Sequence, residues 1–302
     1  MITSNCYFSS DFDYDAYTAS DEVQLSLRRL PPIAPRNEGS SSSSSHSSRW
    51  GSFYSSHAKG LVYKPRKYLY NAFKPHFDAV LLGREPGVAL TILEVGCGYG
   101  CSLVPLAELL RDNSVADAFL VASDYSEESL DMLRSSSHFK EHSKSLFALR
   151  WDVTEPFDTS LLPPPCPRPS LVLCVFALSA VPPEDHLACL RNVAALMSPG
   201  GRLLLRDYAF GDLTMFRHKS RVGELLFQRG REKTLAFYFT SNHLFALVAA
   251  LGGLLVMEEL QMCTVRLRNR GRGREGGDMR RCFVHCVLRK VGGEEGSGAR
   301  CY

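Results

Sequence analysis

A strand that ends in alternating glycines is the feature that most constrains the fold of this chain. The run ILEVGCGYG (92–100) begins apolar, carries one acid at Glu94, and places Gly96, Gly98 and Gly100 with a single residue between each pair. Glycines directly after a buried strand let the backbone turn tightly, pack closely on the next helix and admit a ligand against bare main chain. The dinucleotide pattern G-x-G-x-x-G would need a glycine at position 101, where this chain has cysteine, and no phosphate-loop lysine follows.

Apolar runs alternate with amphipathic runs through the middle of the chain. Continuous rather than alternating hydrophobicity is typical of parallel strands covered on both faces. The pattern predicts an α/β fold of the doubly wound kind, with a mostly parallel sheet and an antiparallel C-terminal strand. The predicted parallel strands are LTILEV (90–95), FLVAS (119–123), LFALRWDV (146–153), LVLCVFAL (171–178) and RLLLRDY (202–208). Ser126 and Ser241 are the expected N-caps of two of the helices.

Basic residues are concentrated in three stretches, although the net charge of the 302 residues is only +3. Residues 49–76 carry six bases and no acids, 209–240 carry six bases and three acids, and 266–290 carry nine bases and two acids. Such clusters favour a polyanionic partner, because phosphate contacts release counterions. The alternative for each cluster is an ordinary solvated surface.

Two acids end the strands that follow the glycines. Asp124, in VASDYS, ends the second strand, where a carboxylate can accept both ribose hydroxyls of a nucleoside. Asp152, in RWDVT, ends the third, where it can accept from an adenine amino group while Val153 presents a backbone N–H. The apolar end of the fourth strand, around Val175 and Phe176, can pack on the adenine face. Carboxylates and apolar contact without a phosphate cradle describe S-adenosylmethionine.

Several motifs together resemble one family, the methyltransferase-like enzymes that form N3-methylcytidine in RNA, chiefly in the tRNA anticodon loop. The resemblance runs from about Trp50 to Lys290 and rests on ILEVGCGYG, ASDYS, WDVTEP, VFALSAV, LMSPGGRLLLRDYAFGDLTMFR and FYFT. It implies a class I, Rossmann-like methyltransferase fold, S-adenosyl-L-methionine as cofactor, and tRNA as partner. Dependence on an aminoacyl-tRNA synthetase or another helper protein is a further implication.

The resemblance also gives a role to the aromatic residues that precede the glycine loop. The stretch RWGSFYSSHAKGLVYKPRKYL is similar to the family segment that folds over the cofactor. Residues four apart lie on one helix face, so two such rings can cover a nucleoside, or can instead anchor the helix to the core. The residues expected to bind the cofactor are Trp50, Tyr54, Gly96, Gly98, Asp124, Asp152, Val153 and Val175.

The motif RDY after the fifth strand is the candidate for substrate contact. N3 of cytosine has an exposed lone pair, so alignment can supply most of the rate and a carboxylate can stabilise the cationic product. Asp207 is therefore the predicted catalytic residue, and Tyr208 can stack on a base. The alternative is an Arg206–Asp207 ion pair that ties 209–240 to the sheet. The expected substrate-binding residues are Arg206, Tyr208, Arg217 and Arg229, and no metal site is expected.

Five segments follow from these patterns. Residues 1–48 form an acidic, serine-rich tail predicted to be disordered. Residues 49–89 are a basic lid and RNA-contact segment, and 90–290 form the methyltransferase domain. Within that domain, 209–240 is a substrate-binding insertion, and 291–302 is a flexible tail.

Three functional classes remain open from the sequence. They are an RNA cytidine methyltransferase, a small-molecule methyltransferase of the same fold, and a non-catalytic protein that binds S-adenosylmethionine or RNA. No apolar run has the length of a bilayer span, and ten cysteines lie scattered through apolar stretches, which is typical of reduced thiols. The expected location is the cytoplasm, with the nucleus as the alternative.

Overall fold

A seven-stranded sheet forms the centre of the molecule. The computed structural model describes residues 11–34, 43–56, 63–83, 87–115, 117–164, 166–268 and 278–292. The strands are β1 (Leu90–Val95), β2 (Ala118–Asp124), β3 (Leu146–Arg150), β4 (Leu171–Val175), β5 (Arg202–Tyr208), β6 (Ser220–Arg221), β7 (Leu226–Arg229), β8 (Thr234–Phe237), β9 (Leu255–Arg268) and β10 (Asp278–Lys290). The order across the large sheet is β3-β2-β1-β4-β5-β10-β9.

The pairing directions confirm the predicted fold class. Strands β1 to β5 pair in parallel, whereas β10 lies antiparallel to both β5 and β9. Chain order reverses between β1 and β4, so a crevice is expected beyond their carboxyl ends. All six residues of β1 are buried, including Thr91 and Glu94, as expected for a parallel strand covered on both faces.

Helices cover both faces of this sheet. The described helices are α1 (Tyr14–Ala19), α2 (Asp21–Arg28), α3 (Ser43–Ser56), α4 (Leu69–Ala72), α5 (Lys74–Leu82), α6 (Leu103–Asp112), α7 (Glu127–Ser135), α8 (Ser137–Glu141), α9 (His186–Leu196) and α10 (Ser241–Ala250). One core packs α4 to α7 against Ile92 and its neighbours, and the other packs α9 and α10 against Leu93. Ser126 caps α7 as predicted, whereas α10 is capped by Thr240, one residue before the expected Ser241.

The basic insertion folds into a second, small sheet. Strands β6, β7 and β8 pair antiparallel, and Phe227, Ala236 and Tyr238 form its buried core with Met215. The turn from β7 to β8 passes through Gly230 at φ +64°. These short strands are joined by irregular turns, which is why the sequence shows no clear period here.

The N-terminal segment differs from the predicted disordered tail. Residues 11–34 include α1 and α2, which lie against β9 and β10, with the backbone N–H of Asp11 donating to Thr264 O at 3.1 Å. Tyr17 is buried and donates to Gly211 O at 3.2 Å, and Val23 is 1% exposed. The acidic composition predicts disorder. The apolar contacts with distant strands nevertheless offset the conformational entropy that the segment loses on ordering. Helix α3 also begins inside the serine tract.

Parts of the predicted segments lie outside the described residues. These are 1–10, 35–42, 57–62 and 84–86 in the predicted lid, the single residues 116 and 165, 269–277, which holds the basic run RGRGR (270–274), and 293–302, most of the predicted flexible tail. Across the helices that the structure does describe, none combines the length and apolar character that a membrane crossing requires.

Candidate cofactor and substrate site

The glycine loop lies against two side chains that leave no room for a Cβ. Gly96 and Gly98 have φ of +65° and +55°, a region that favours glycine. A Cβ on Gly96 would lie 2.5 Å from the Ala177 Cβ, and one on Gly98 would lie 2.7 Å from the Tyr54 hydroxyl. The loop therefore needs glycine both for its conformation and for close approach.

Asp124 joins this loop to the end of β2. Its Oδ2 accepts the backbone N–H of Gly98 at 2.8 Å, and its Oδ1 accepts that of Ser126 at 2.9 Å. Burial raises the pKa of the Asp124 carboxyl to about 6, although these backbone hydrogen bonds oppose the shift. The Ser129 side chain and the Tyr125 backbone also form hydrogen bonds to this carboxyl. Asp124 is thus held at the end of β2, on the wall of a cavity.

A cavity of about 110 Å³ lies beyond the ends of β1, β2, β3 and β4, and we call it the cofactor cavity. Asp152 lies on its wall, with Oδ1 accepting Thr154 N at 3.0 Å and Thr154 Oγ1 at 2.7 Å. Apolar groups from the turn after β4 form the opposite wall. The lining includes Trp50, Tyr54, Gly96, Asp124, Tyr125, Asp152, Val153, Phe176, Ala177, Leu178, Ala180 and Val181.

A second cavity, of about 350 Å³, opens on the other side of the glycine loop, and we call it the aromatic cavity. Trp50, Tyr54 and Phe176 line both cavities, so α3 forms a shared wall. The aromatic cavity combines ring faces with four cationic side chains. The lining includes Trp50, Tyr54, Tyr63, Lys64, Arg66, Tyr68, Gly98, Tyr99, Val175, Phe176, Tyr208, Arg229, Arg281 and Phe283.

The predicted cofactor residue Val175 lies elsewhere than expected. It is 1% exposed in the apolar core and reaches the aromatic cavity rather than the cofactor cavity. Its neighbour Phe176, held at φ +56°, contributes to both cavities. Successive residues at the end of a strand face opposite sides of the sheet. Phe176 therefore reaches the cofactor cavity, whereas Val175, one position earlier, does not.

Arg229 connects helix α3 to the end of β5. Its guanidinium carbon lies 5.5 Å from the centroid of a Trp50 ring and 5.9 Å from that of Tyr208, within the range of cation–π contact. Arg229 Nη2 also donates to Leu235 O at 3.0 Å, which fixes the side chain on the small sheet. The predicted substrate residues Tyr208 and Arg229 therefore lie together, whereas Arg217 lies apart on the exposed surface.

The structure gives Asp207 and Arg206 supporting positions. Asp207 is fully buried and lines neither cavity; its oxygens accept the backbone N–H groups of Ser179 at 2.9 Å and of Tyr208 at 2.8 Å. Arg206 is fully buried on the opposite side of the strand, 5.2 Å from the Phe283 ring centroid. This geometry favours a structural role for Asp207, but through backbone contacts rather than through the Arg206–Asp207 pair that the sequence suggested.

Two ion pairs that the sequence analysis did not identify support the aromatic cavity. Arg66 Nη1 lies 3.9 Å from Glu94 Oε1 and donates to Ser102 Oγ at 3.0 Å. Burial, opposed chiefly by Arg66, raises the pKa of Glu94 to about 7. Arg281 Nε donates to Asp212 Oδ2 at 2.7 Å. Each pair joins residues far apart in the chain, so the sequence does not show which residues pair. The one sign of a buried ion pair was Glu94, an acid inside an apolar run.

The basic stretch 266–290 is partly neutralised within the molecule. Arg280 binds Glu22 of α2 at 2.6 Å, and Arg289 binds Glu258 at 3.0 Å. The backbone N–H of Arg266 donates to Asp11 Oδ2 at 2.8 Å. The acidic N-terminal helices therefore cover part of the surface that the sequence suggested for a polyanion. Within 209–240, four bases are exposed around the small sheet: Arg217, Lys219, Arg231 and Lys233.

Solved structures share this fold at low sequence identity. A methyltransferase-domain family model matches residues 93–203. An S-adenosylmethionine-dependent methyltransferase from Anabaena variabilis aligns with a TM-score of 0.58 at 11% identity, covering 86% of this chain and 99% of that one. A Burkholderia thailandensis 1,6-didemethyltoxoflavin N1-methyltransferase bound to S-adenosylhomocysteine aligns with a TM-score of 0.54 at 15% identity, covering 86% and 94%.

Curated relatives are similar over most of the chain. The tRNA N(3)-cytidine methyltransferase of Danio rerio is 27% identical over 271 residues, covering 80% of this chain and 73% of the relative. The tRNA N(3)-methylcytidine methyltransferase of Schizosaccharomyces pombe is 28% identical over 248 residues, covering 80% and 91%.

The sheet, the glycine loop and the acids at its strand ends give the chain the fold of class I S-adenosylmethionine-dependent methyltransferases. Over most of its length the chain is similar to the tRNA N(3)-cytidine methyltransferases of these two organisms. The residues present fit this cofactor, because the carboxyls of Asp124 and Asp152 and the apolar turn after β4 line one cavity beside a loop that admits no side chain. When bound, the cofactor supplies an electrophilic methyl group on a sulfonium.

Proposed function

We propose that this protein methylates N3 of a cytidine in tRNA, as the names of its relatives state for them. The observation that carries the proposal is the aromatic cavity, which shares Trp50 and Tyr54 with the cofactor cavity and is lined by rings and cations. A flipped base needs ring faces for stacking, and its flanking phosphates need cations. The aromatic cavity offers both ring faces and cations, next to the residues that it shares with the cofactor cavity.

The cofactor side of the site divides into three contacts. We assign the ribose hydroxyls to Asp124, the adenine amino group to Asp152, and the backbone N–H beside the adenine to Val153. Trp50 and Tyr54 would cover the cofactor from α3, and the glycine loop would hold its aminoacyl portion. Each residue lies on the wall of the cofactor cavity.

The target base belongs in the aromatic cavity. Tyr208 and Phe176, with ring centroids 4.9 Å apart, provide a stacking surface next to Phe283. Cytosine N3 carries its own lone pair, so the transfer needs alignment of that lone pair with the methyl group rather than a general base. Among the described residues that line the aromatic cavity none is an acid, which is consistent with a reaction that requires no proton abstraction.

The phosphates of the tRNA belong on the small sheet. Arg217, Lys219, Arg231 and Lys233 are exposed there, and half-buried Arg229 extends the cations into the aromatic cavity. Counterion release from such contacts would make tRNA binding strongly dependent on salt. An exposed basic surface continuous with the cavity favours a nucleic acid over a small-molecule substrate.

The test is methyl transfer from labelled S-adenosylmethionine to tRNA, followed by nucleoside mass spectrometry of the product. We expect N3-methylcytidine from the wild-type protein and a loss of about fivefold or more in Tyr208→Ala, since stacking is worth about 1–3 kcal/mol per base. Arg202→Ala is the matched control, because that side chain binds Glu258 at 2.6 Å on the other end of β5.

Two outcomes would contradict the proposal. Cofactor binding without methylation of any tRNA, with transfer to a small acceptor instead, would establish the small-molecule alternative. Cofactor or RNA binding without transfer to any acceptor would establish the non-catalytic alternative. If transfer requires a cell extract, fractionation would test the predicted synthetase or other helper protein. Imaging of the tagged protein would distinguish the cytoplasm, which we propose, from the nucleus.

A further inference from the structure

A short turn after β4 forms one wall of the cofactor cavity. Leu178 and Ala180 line the cavity from a single helical turn, and Val181 follows them. The turn is closed by hydrogen bonds from Ala180 N to Ala177 O at 3.0 Å and from Val181 N to Leu178 O at 3.1 Å. Such a short element depends on external contacts to keep its position.

One external contact comes from a buried histidine at the start of α9. His186 Nε2 lies 3.1 Å from Leu178 O and 3.0 Å from Val181 O. Carbonyl oxygens only accept hydrogen bonds, so Nε2 must carry the proton and donate to both. The imidazole thus bridges the first residue of the turn and the residue that follows it.

A second histidine completes the arrangement. His186 Nδ1 lies 3.0 Å from Nε2 of His243 on α10. In neutral His186, the proton on Nε2 leaves Nδ1 as an acceptor, so His243 Nε2 is the donor. The contact therefore selects the tautomer that the turn requires. Phe239 stacks on the His186 ring at 5.2 Å and 26°, which restricts its orientation.

The electrostatics agree with this assignment. His186 has no exposed surface, and burial together with the neighbouring His243 lowers its pKa to about 4. The imidazole is therefore neutral at physiological pH, so Nδ1 is free to accept. The opposite side of the turn is held by Asp207, which accepts the Ser179 N–H at 2.9 Å.

We propose that His186 is a positioning residue for the cofactor: through Leu178 and Val181 it sets the wall of the cofactor cavity, and His243 holds it in the required tautomer. His186 itself lines neither cavity. The proposal rests on S-adenosylmethionine binding in the cofactor cavity, and it does not depend on which acceptor is methylated.

The test compares two substitutions at this position in the full-length protein. His186→Leu removes the donor and leaves two buried carbonyls with fewer partners, whereas His186→Gln retains an N–H of similar reach. We expect His186→Leu to weaken S-adenosylhomocysteine binding, measured by calorimetry, by about tenfold or more. His186→Gln should restore most of this loss. His243→Phe should have a smaller effect, because His186 can still donate.

The measurement must separate positioning from general destabilisation. Leu247→Ala is the control, since Leu247 is a buried core residue of α10 that lines neither cavity. It should lower the melting temperature and leave cofactor affinity within about twofold. Unchanged cofactor affinity in His186→Leu, or an equal loss in the glutamine and leucine variants, would overturn the proposal. Absence of cofactor binding in the wild type would instead overturn the cofactor assignment itself.

Discussion

The Tyr54 hydroxyl lies 2.7 Å from the point where a Cβ on Gly98 would stand. Tyr54 belongs to α3 and Gly98 to the loop after β1, so this contact joins the helix to the glycine loop. It leaves no room for a side chain at position 98, and Tyr54 is itself buried. The positions of α3 and of the loop therefore depend on each other.

Gly98→Ala should abolish most cofactor binding. The new methyl group would displace Tyr54 from the loop. The alanine backbone would also have to keep an unfavourable φ of +55°. Gly87→Ala is the matched control, because Gly87 has φ +81° but nothing within 4 Å of its Cβ position. The control should lose about 1 kcal/mol of stability from backbone strain alone and keep its affinity for S-adenosylhomocysteine by calorimetry. Equal affinities in the two variants would show that cofactor binding does not depend on the Tyr54–Gly98 contact.

The affinity for the cofactor should fall as the pH drops through about 6. The raised pKa of Asp124, about 6, means that the carboxylate becomes protonated there and loses acceptor capacity. Asp124→Asn should bind S-adenosylhomocysteine about tenfold more weakly at pH 8 and show a much flatter profile from pH 8 to 5. An unchanged slope in the variant would assign the titration to another group.

Glu94→Gln should stabilise the protein at neutral pH but not at pH 4.5. The pKa of Glu94 rises from 4.5 to about 7 because of burial, so the folded state binds the proton more tightly than the unfolded state. Wild-type stability from this group is therefore lost as pH increases from about 4.5 to about 7. The difference between variant and wild type should grow across this window to about 3 kcal/mol at most, measured by urea unfolding at each pH. A difference that does not vary with pH would refute the linkage.

Asp207→Asn distinguishes the two roles considered for this residue. Because the carboxylate accepts two backbone N–H groups, an amide should leave one donor poorly satisfied and cost about 1–3 kcal/mol of stability. Cofactor affinity should fall with it, since the turn beside the cofactor cavity would shift. A loss of turnover with melting temperature and cofactor affinity intact would instead support direct contact with the target base.

Arg217→Ala should weaken tRNA binding and reduce its salt dependence. The side chain is exposed beside the small sheet, so it can lose a phosphate contact without disturbing the fold. The slope of log affinity against log salt should decrease in magnitude by roughly one. Filter binding across a salt series would measure it, with Arg202→Ala expected to keep the wild-type slope. Equal slopes for both variants would remove Arg217 from the interface.

The sequence was sufficient for features that depend on neighbouring residues. The glycine loop, Asp124 and Asp152 follow from their places at the ends of apolar strands, and those strands were found within a few residues. The distinction between Val175 and Phe176 depends on strand alternation and on a positive φ, which the apolar run does not reveal. For Asp207, the same alternation already predicts that it and Arg206 face opposite sides.

Contacts between distant segments could not be predicted in this way. The meeting of Trp50 with Arg229, and the pairing of Arg281 with Asp212, arise only when separate elements pack together. The acidic N-terminus was expected to be disordered because its composition is poor in core residues. Its few apolar residues nevertheless find partners on β9 and β10.

The docking of α1 and α2 on those strands has a consequence for biosynthesis. Tyr17 and Val23 pack with Cys282, which follows them by more than 250 positions, in one small cluster. Helices α1 and α2 are therefore translated long before these partners and must wait without them until nearly the whole described chain has been made. During that interval their apolar side chains remain accessible to chaperones.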